Sequence, residues 1–325
     1  MVVLWRNTQA ARLFASGLLF LALGLGGCAT PLQSEKILAD SQTRYPHPVE
    51  LTNVRFFPQE QYQCGPAALA TVLTYADVNV TADALTPQIY LPAREGSLQL
   101  EIIAATRRYG RVPYVLQPQV ADLLAEVNAG NPVLVLQNLG VSWWPQWHYA
   151  VVVGFDIAQQ DVILRSGLER RHRLPLELFE RTWQRANYWS LVTLPPDRLP
   201  YSAAELRYLQ AVVPFEQTDQ WRVAETAYAT ALKHWPASLG AAMGLGNSRY
   251  ALGEYKGAAD AFRVATRVHP ESADAYNNLA HVLAMLGQLD EAAEMADRAI
   301  TIGGRNIETY RQTADEIRAR RAVNK

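Results

Sequence analysis

The sequence predicts an α+β body with an antiparallel sheet, followed by an all-α repeat solenoid. Three observations lead there. Between about 50 and 195, helical periodicity is gathered early and short β-prone runs are gathered late, which favours a segregated α+β arrangement over a wound parallel sheet. From about 202 a 34-residue period appears, so the second body is built from repeated helix pairs. The chain has 325 residues, 49% of them hydrophobic, enough for about two domains. Its 30 basic and 31 acidic residues leave no basic footprint for nucleic acid.

Residues 1–27 read as an export signal: Arg6 and Arg12, then the apolar run from Leu13 to Gly27, shorter than a spanning helix needs. The run ends in Leu25-Gly26-Gly27-Cys28, which resembles the bacterial lipobox. That resemblance implies cleavage before Cys28, acylation of its thiol and, because Ala29 is not aspartate, the periplasmic face of the outer membrane of a diderm host. Residues 28–48 are polar, lack a sustained period and reach Pro46 and Pro48, so a tether is expected.

In the first body, taken as residues 49–196, Val54 to Phe57 is a short β-prone run. Gly65 to Tyr75 and Leu98 to Tyr109 carry helical spacing, with Gly110 as a stop. Val112 to Leu116, Val133 to Gln137, Tyr149 to Phe155, Val162 to Leu164 and Tyr188 to Leu194 are rich in β-branched and aromatic residues and should form the sheet. Over 202–303, Pro236 matches Pro270, Gly253 matches Gly287, and Ala224 matches Ala258 and Ala292 at the same step. This pattern resembles the tetratricopeptide repeat, with Gly246 and Ala280 at the small position of the first helix. The leading unit is degenerate, having Val212 at that position and Pro214 late in its helix. Residues 304–325 read as a polar capping helix.

The chemistry is concentrated in two segments. Cys64 stands where an irregular stretch meets an amphipathic helix, and unpaired N–H groups at a helix start favour a thiolate. Gly65 and Pro66 suit the first turn, and Gln59 can turn its amide toward the same point. His148 opens a β-prone run after a loop holding Trp143, Trp144 and Trp147. A histidine at a strand entry can project toward a helix start packed on the sheet. Gln59, Cys64-Gly65 and His148-Tyr149-Ala150-Val151-Val152-Val153-Gly154 resemble the double-glycine-leader, bacteriocin-processing cysteine peptidases and their papain-like relatives. The resemblance implies a papain-like domain, Cys64 as nucleophile, His148 as general base and then acid, and Gln59 as oxyanion donor.

Two departures stand out. The family's glutamine usually lies one residue earlier, where this chain has Pro58. Its aspartate after the histidine strand is replaced by Arg165, Ser166 and Gly167. Ser166, Asn138 or a backbone carbonyl is therefore expected to orient the imidazole, with Asp156 as a weaker acidic alternative. The tryptophans read equally as a wall of a substrate groove or as packing beneath a loop. Arg165, Arg170, Arg171 and Arg173 read as a solvated loop. His47, His172, His234, His269 and His281 read as structural, and no spacing suits zinc, so no metal or cofactor is expected. Together these readings give a lipid-anchored envelope thiol hydrolase, a cysteine peptidase acting on a peptide or protein, with repeats that recruit a protein partner. The rivals are a catalytically silent adaptor and a cell-wall amidase or acyltransferase using the same thiol.

Overall fold

The computed structural model describes residues 32–40, 45–58 and 63–323. Its first body contains α1 (Gln33–Asp40), β1 (Val49–Glu50), α2 (Cys64–Tyr75), α3 (Ala82–Ile89), β2 (Tyr90–Leu91), β3 (Gly96–Ser97), α4 (Gln99–Arg108) and β4 (Val112–Val115). It continues with α5 (Val120–Asn128), β5 (Val133–Asn138), β6 (Trp147–Asp156), β7 (Asp161–Ser166), β8 (Glu169–Pro175), α6 (Leu176–Gln184) and β9 (Ser190–Leu194). The main sheet runs β4-β9-β5-β6-β7-β8 with antiparallel neighbours, and β1 joins the far half of β6.

Both faces of the sheet are covered, so its central strands are apolar throughout instead of alternating. Leu134, Leu136, Tyr149, Val151 and Val153 share one core with α2, α3 and α4. Val133, Val135, Ala150, Val152 and Leu164 share the other with α5 and α6. This is the expected α+β class, but α5 and α6 lie between strands, so the segregation of helices from strands is incomplete. Val54 to Phe57 forms no strand. Arg165 donates to the Val54 carbonyl at 3.4 Å and reaches Leu51 and Arg170 as well, taking the place a partner strand would hold. Arg165 is thus buried, and Arg170 to Arg173 belong to the edge strand β8 instead of a loop.

The expected tether is also revised. Gln33–Asp40 is a helix because the buried Glu180 carboxylate accepts from the N–H groups of Gln33 and Ser34, each at 2.7 Å, which caps α1 from α6. Among the described residues no helix is long and apolar enough to cross a membrane.

The second body stacks six helices: α7 (Glu205–Gln217), α8 (Trp221–His234), α9 (Leu239–Ala251), α10 (Tyr255–Val268), α11 (Ala273–Met285) and α12 (Leu289–Ile302). The helix α13 (Ile307–Val323) packs against the last pair. The period has a direct steric cause. A Cβ on Gly246 would lie 2.4 Å from the Phe262 ring, so the aromatic of one helix fills the space left by glycine on the helix before it. The turn between paired helices uses a left-handed residue, Gly253 or Gly287, and in the degenerate first unit Asp219 takes that conformation.

One core cluster runs through both bodies, joining Tyr114 and Leu194 to Tyr208, Val212 and Phe215. The junction is polar at one point. The buried Glu126 carboxylate accepts from Asn131 Nδ2 (2.7 Å), Ser202 N (2.7 Å), Ser202 Oγ (2.6 Å) and Tyr201 N (3.2 Å). Glu126→Gln places an amide N–H among donors and should cost about 2–4 kcal/mol, with calorimetry separating the single melt into two transitions.

Candidate active site

Cys64 is the first residue of α2, a helix buried from Gly65 to Leu73. Its axial position is set by Gly65, where a Cβ would stand 2.4 Å from Ser97 Oγ, so only glycine lets β3 approach so closely. The start of α2 is not capped by a side chain at Gln63, and its free donors turn to the sulfur. The Cys64 thiol meets the backbone N–H groups of Tyr149, Gly65 and Cys64 itself. These favour the thiolate, yet burial outweighs them and pushes the Cys64 thiol above its ordinary 9.0. The expected lowering by the helix start is therefore overturned at rest, because tertiary packing removes the water that a thiolate needs.

Tyr149 is the residue after His148, so the sulfur rests one peptide unit from the histidine. Strand alternation sends Tyr149 to the α2 side. His148 goes to the other face with its cross-strand neighbour Gln137, whose amide donates to Thr182 Oγ1 on α6 at 2.6 Å. Thiol and imidazole accordingly flank the entry of β6 and do not meet on the face that α2 covers. Among the described residues no hydrogen bond joins them directly. Nε2 of His148 lies 2.8 Å from Ser166 Oγ. Burial, followed by the nearby His172 charge, lowers the imidazole from 6.5 to about 4. Near neutral pH both groups are uncharged.

The remaining sequence-predicted residues divide clearly. Ser166 touches His148. Asn138 does not, because its Oδ1 accepts from Gly140 N (3.0 Å) and Gln146 N (2.9 Å) and ties the following loop. Asp156 ends β6 eight residues from His148, roughly 26 Å along the strand. There it accepts from Gln159 N at 3.1 Å and faces Arg173 at 3.6 Å, so it is a turn residue and is excluded from the site. Gln59 and Cys28 lie outside the described residues.

A cleft of about 730 Å³ opens beside the sulfur, lined among others by Cys64, Ser97, Leu136, Trp147, Tyr149 and Asn187. Ser97 was missed by sequence reasoning. Its Oγ is buried and finds no hydrogen-bond partner among the described residues, and its carbonyl accepts from Tyr149 Oη at 3.2 Å. The one sequence cue is the turn before it, where Glu95 adopts a left-handed conformation beside Gly96. Of the tryptophans, Trp147 lines the cleft, whereas Trp143 and Trp144 are 84% and 72% exposed. Among the described residues no group of three His, Cys, Asp or Glu side chains could hold a metal ion.

Residues 51–191, which contain this whole arrangement, match the family described as Peptidase_C39 like, and residues 208–267 and 245–307 match the tetratricopeptide repeat. The chain carries a peptidase C39-like domain followed by tetratricopeptide repeats. No curated protein matches the chain. Among solved structures, a C39-like peptidase from Bacillus anthracis is 19% identical, covering 45% of this chain and 97% of its own, with a TM-score of 0.39. The first tetratricopeptide-repeat domain of Spaghetti (RPAP3), bound to an HSP90 peptide, is 14% identical over 36% of this chain and 93% of its own, with a TM-score of 0.35. The type III secretion translocator chaperone SycD of Yersinia enterocolitica is 15% identical over 36% and 84%, with a TM-score of 0.34.

Within the peptidase C39-like domain the buried imidazole makes stability depend on pH. Its folded value lies below its unfolded one, so its contribution is complete above about 6.5 and is lost as pH falls to about 4. Urea titrations should show stability falling by on the order of 3 kcal/mol across that window. His148→Asn should remove most of that slope. An unchanged slope would place the titrating group elsewhere.

Proposed function

We propose that the chain is a lipid-anchored envelope cysteine peptidase that cleaves or processes a peptide or protein, with the repeats recruiting a protein partner. The observation that carries this reading is the Cys64 sulfur at the N–H of Tyr149, one peptide unit from an imidazole held by Ser166. In the proposed step, Cys64 Sγ attacks the peptide carbonyl carbon while the thiol proton passes around the entry of β6, by way of a water in the cleft, to Nδ1 of His148 on the opposite face. This requires the tautomer in which Nε2–H donates to Ser166 Oγ. The carbonyl oxygen gains the negative charge and is met by backbone N–H at the start of α2, with Gln59 as the second donor that the family resemblance implies. His148 returns its proton to the leaving amine, and water then attacks the thioester and frees the new carboxyl terminus and the thiol.

An uncharged resting pair suits this sequence of events. A neutral imidazole is ready to accept a proton at pH 7, and the proton moves as the substrate arrives. Ser166 can set the tautomer but supplies no negative charge to steady the imidazolium, so turnover should be slower than with a carboxylate there. Among the described residues no carboxylate meets His148, which favours the second reading, a catalytically silent adaptor whose cleft binds a segment without cutting it. Acyl transfer or cell-wall amide hydrolysis would use the same atoms on another substrate. The double-glycine specificity of the resembling peptidases is not carried over. Cys28 is read as the acylated anchor, with Ala29 after it, which puts the protein at the periplasmic face of the outer membrane.

Purified protein offered a mixed peptide library and muropeptides separates these readings. Peptide cleavage is expected, abolished by Cys64→Ala, with an acid limb near pH 4 set by His148. Ser166→Asp should raise the imidazole and move that limb upward, with a gain of roughly 10-fold or more in kcat. Products from muropeptides alone would assign the amidase reading. A Cys64→Ala protein that fully complements a deletion strain would assign the adaptor.

A further inference from the structure

The end of the sheet at which β6 begins collects large exposed apolar groups. Leu139, Val141, Trp143, Trp144 and Trp147 lie in or beside the β5–β6 loop and are 43–84% exposed. Leu168, 77% exposed, tips the β7–β8 hairpin at the same end, because β7 runs antiparallel to β6 and finishes beside its start. Such a concentration is unusual on a surface that faces only water.

The loop that presents the tryptophans is tied down. Leu139 N donates to Gln146 O at 2.8 Å, Val141 and Trp144 exchange both backbone hydrogen bonds at 3.2 and 3.1 Å, and Asn138 Oδ1 holds two further N–H groups. Gly140 is required, since a Cβ there would lie 2.3 Å from the Trp144 carbonyl oxygen. The indoles therefore project from an ordered platform that keeps them out of the core.

The point where the N-terminal segment joins the fold lies at this end too. Gln33 at the start of α1 donates to Pro118 O (2.9 Å) and accepts from Val120 N (2.8 Å), in the turn between β4 and α5. β4 runs parallel to β5 through their shared antiparallel partner β9, so that turn stands level with the end of β5 and its tryptophan loop. Leu32, just before α1, is buried. Cys28 stands four residues earlier, and four extended residues span at most about 14 Å. An acyl chain on Cys28 thus holds this end of the domain, and no other, close to the bilayer.

We propose that the Leu139–Trp147 loop, with Leu168 beside it, is a bilayer-docking surface whose indoles sit among phospholipid headgroups while the acyl anchor enters the same leaflet. Indole rings favour that depth because one edge is apolar and the N–H seeks a wet partner. Arg170, exposed behind Leu168 and without an ion-pair partner among the described residues, suits anionic headgroups. The cleft at Cys64, which shares Trp147, then opens at the membrane surface. The distance argument rests on reading Cys28 as acylated; the exposed aromatic face does not.

The test uses the full chain in phosphatidylethanolamine and phosphatidylglycerol vesicles carrying acyl chains brominated near the headgroup. Tryptophan emission should be quenched, and Trp143→Ser with Trp144→Ser should remove about half of that quenching. Both residues are exposed, so folding is not at stake, and circular dichroism checks it. Equal quenching in both proteins, or none in either, would overturn the proposal. So would an unchanged quenching signal together with a raised KM for a soluble peptide, which would assign the tryptophans to substrate. Mass analysis of the N-terminal peptide separates the two readings: an unacylated Cys28 with quenching that still depends on Trp143 and Trp144 removes the anchor and leaves the docking surface.

Discussion

The contact between the Cys64 sulfur and the N–H of Tyr149 constrains everything around it. To place a thiol there, α2 must begin at the edge of the sheet, Gly65 must lack a side chain so that Ser97 can close in, and His148 must alternate to the opposite face. Burial then favours the uncharged form of both the thiol and the imidazole. Holding the imidazole at about 4 instead of 6.5 opposes its protonation by roughly 3 kcal/mol, more than one hydrogen bond to a neutral hydroxyl returns. The site accordingly holds no standing ion pair, and under the proposed function the proton would move only as substrate arrives, with Ser166 setting which imidazole nitrogen is free.

Two buried carboxylates organise the rest of the molecule. Glu180 collects the first N–H groups of α1, and Glu126 collects those at the entry to the repeats. Each is a charge that would be costly without its donors and is stabilising with them, so each specifies where a distant segment docks. The consequence is that buried polar and apolar contacts join the N-terminal segment and the start of the helical stack to the domain that carries the cleft. Under the proposed function, a partner recruited by the repeats would be held beside the domain that carries the cleft.

Local chemistry was legible in the sequence; tertiary electrostatics were not. The 34-residue period could be read because a small residue recurs at that step, Gly246 against the Phe262 ring and Ala280 one unit on, and the helix at Cys64 because Pro66, Leu69 and Val72 mark its start and inner face. Ser166 could be named once the carboxylate was seen to be missing. By contrast, α1 has no strong signal of its own, since the group that caps it lies 147 residues away. Val54 reads as a strand until Arg165 is known to take its carbonyl. A helix start does favour a thiolate, but only the packing of the sheet against it reveals that desolvation prevails. Asp156 illustrates the same limit, being next in sequence after the histidine strand and at its far end in space.

The most direct measurement is a titration of the protein with 15N-labelled histidine, following the His148 ring nitrogens. The account predicts a neutral ring protonated at Nε2 across pH 6 to 8, becoming doubly protonated only near pH 4, with no change on Cys64→Ala. An imidazolium at neutral pH that is lost when Cys64 is replaced would show a preformed ion pair with the thiolate and contradict it.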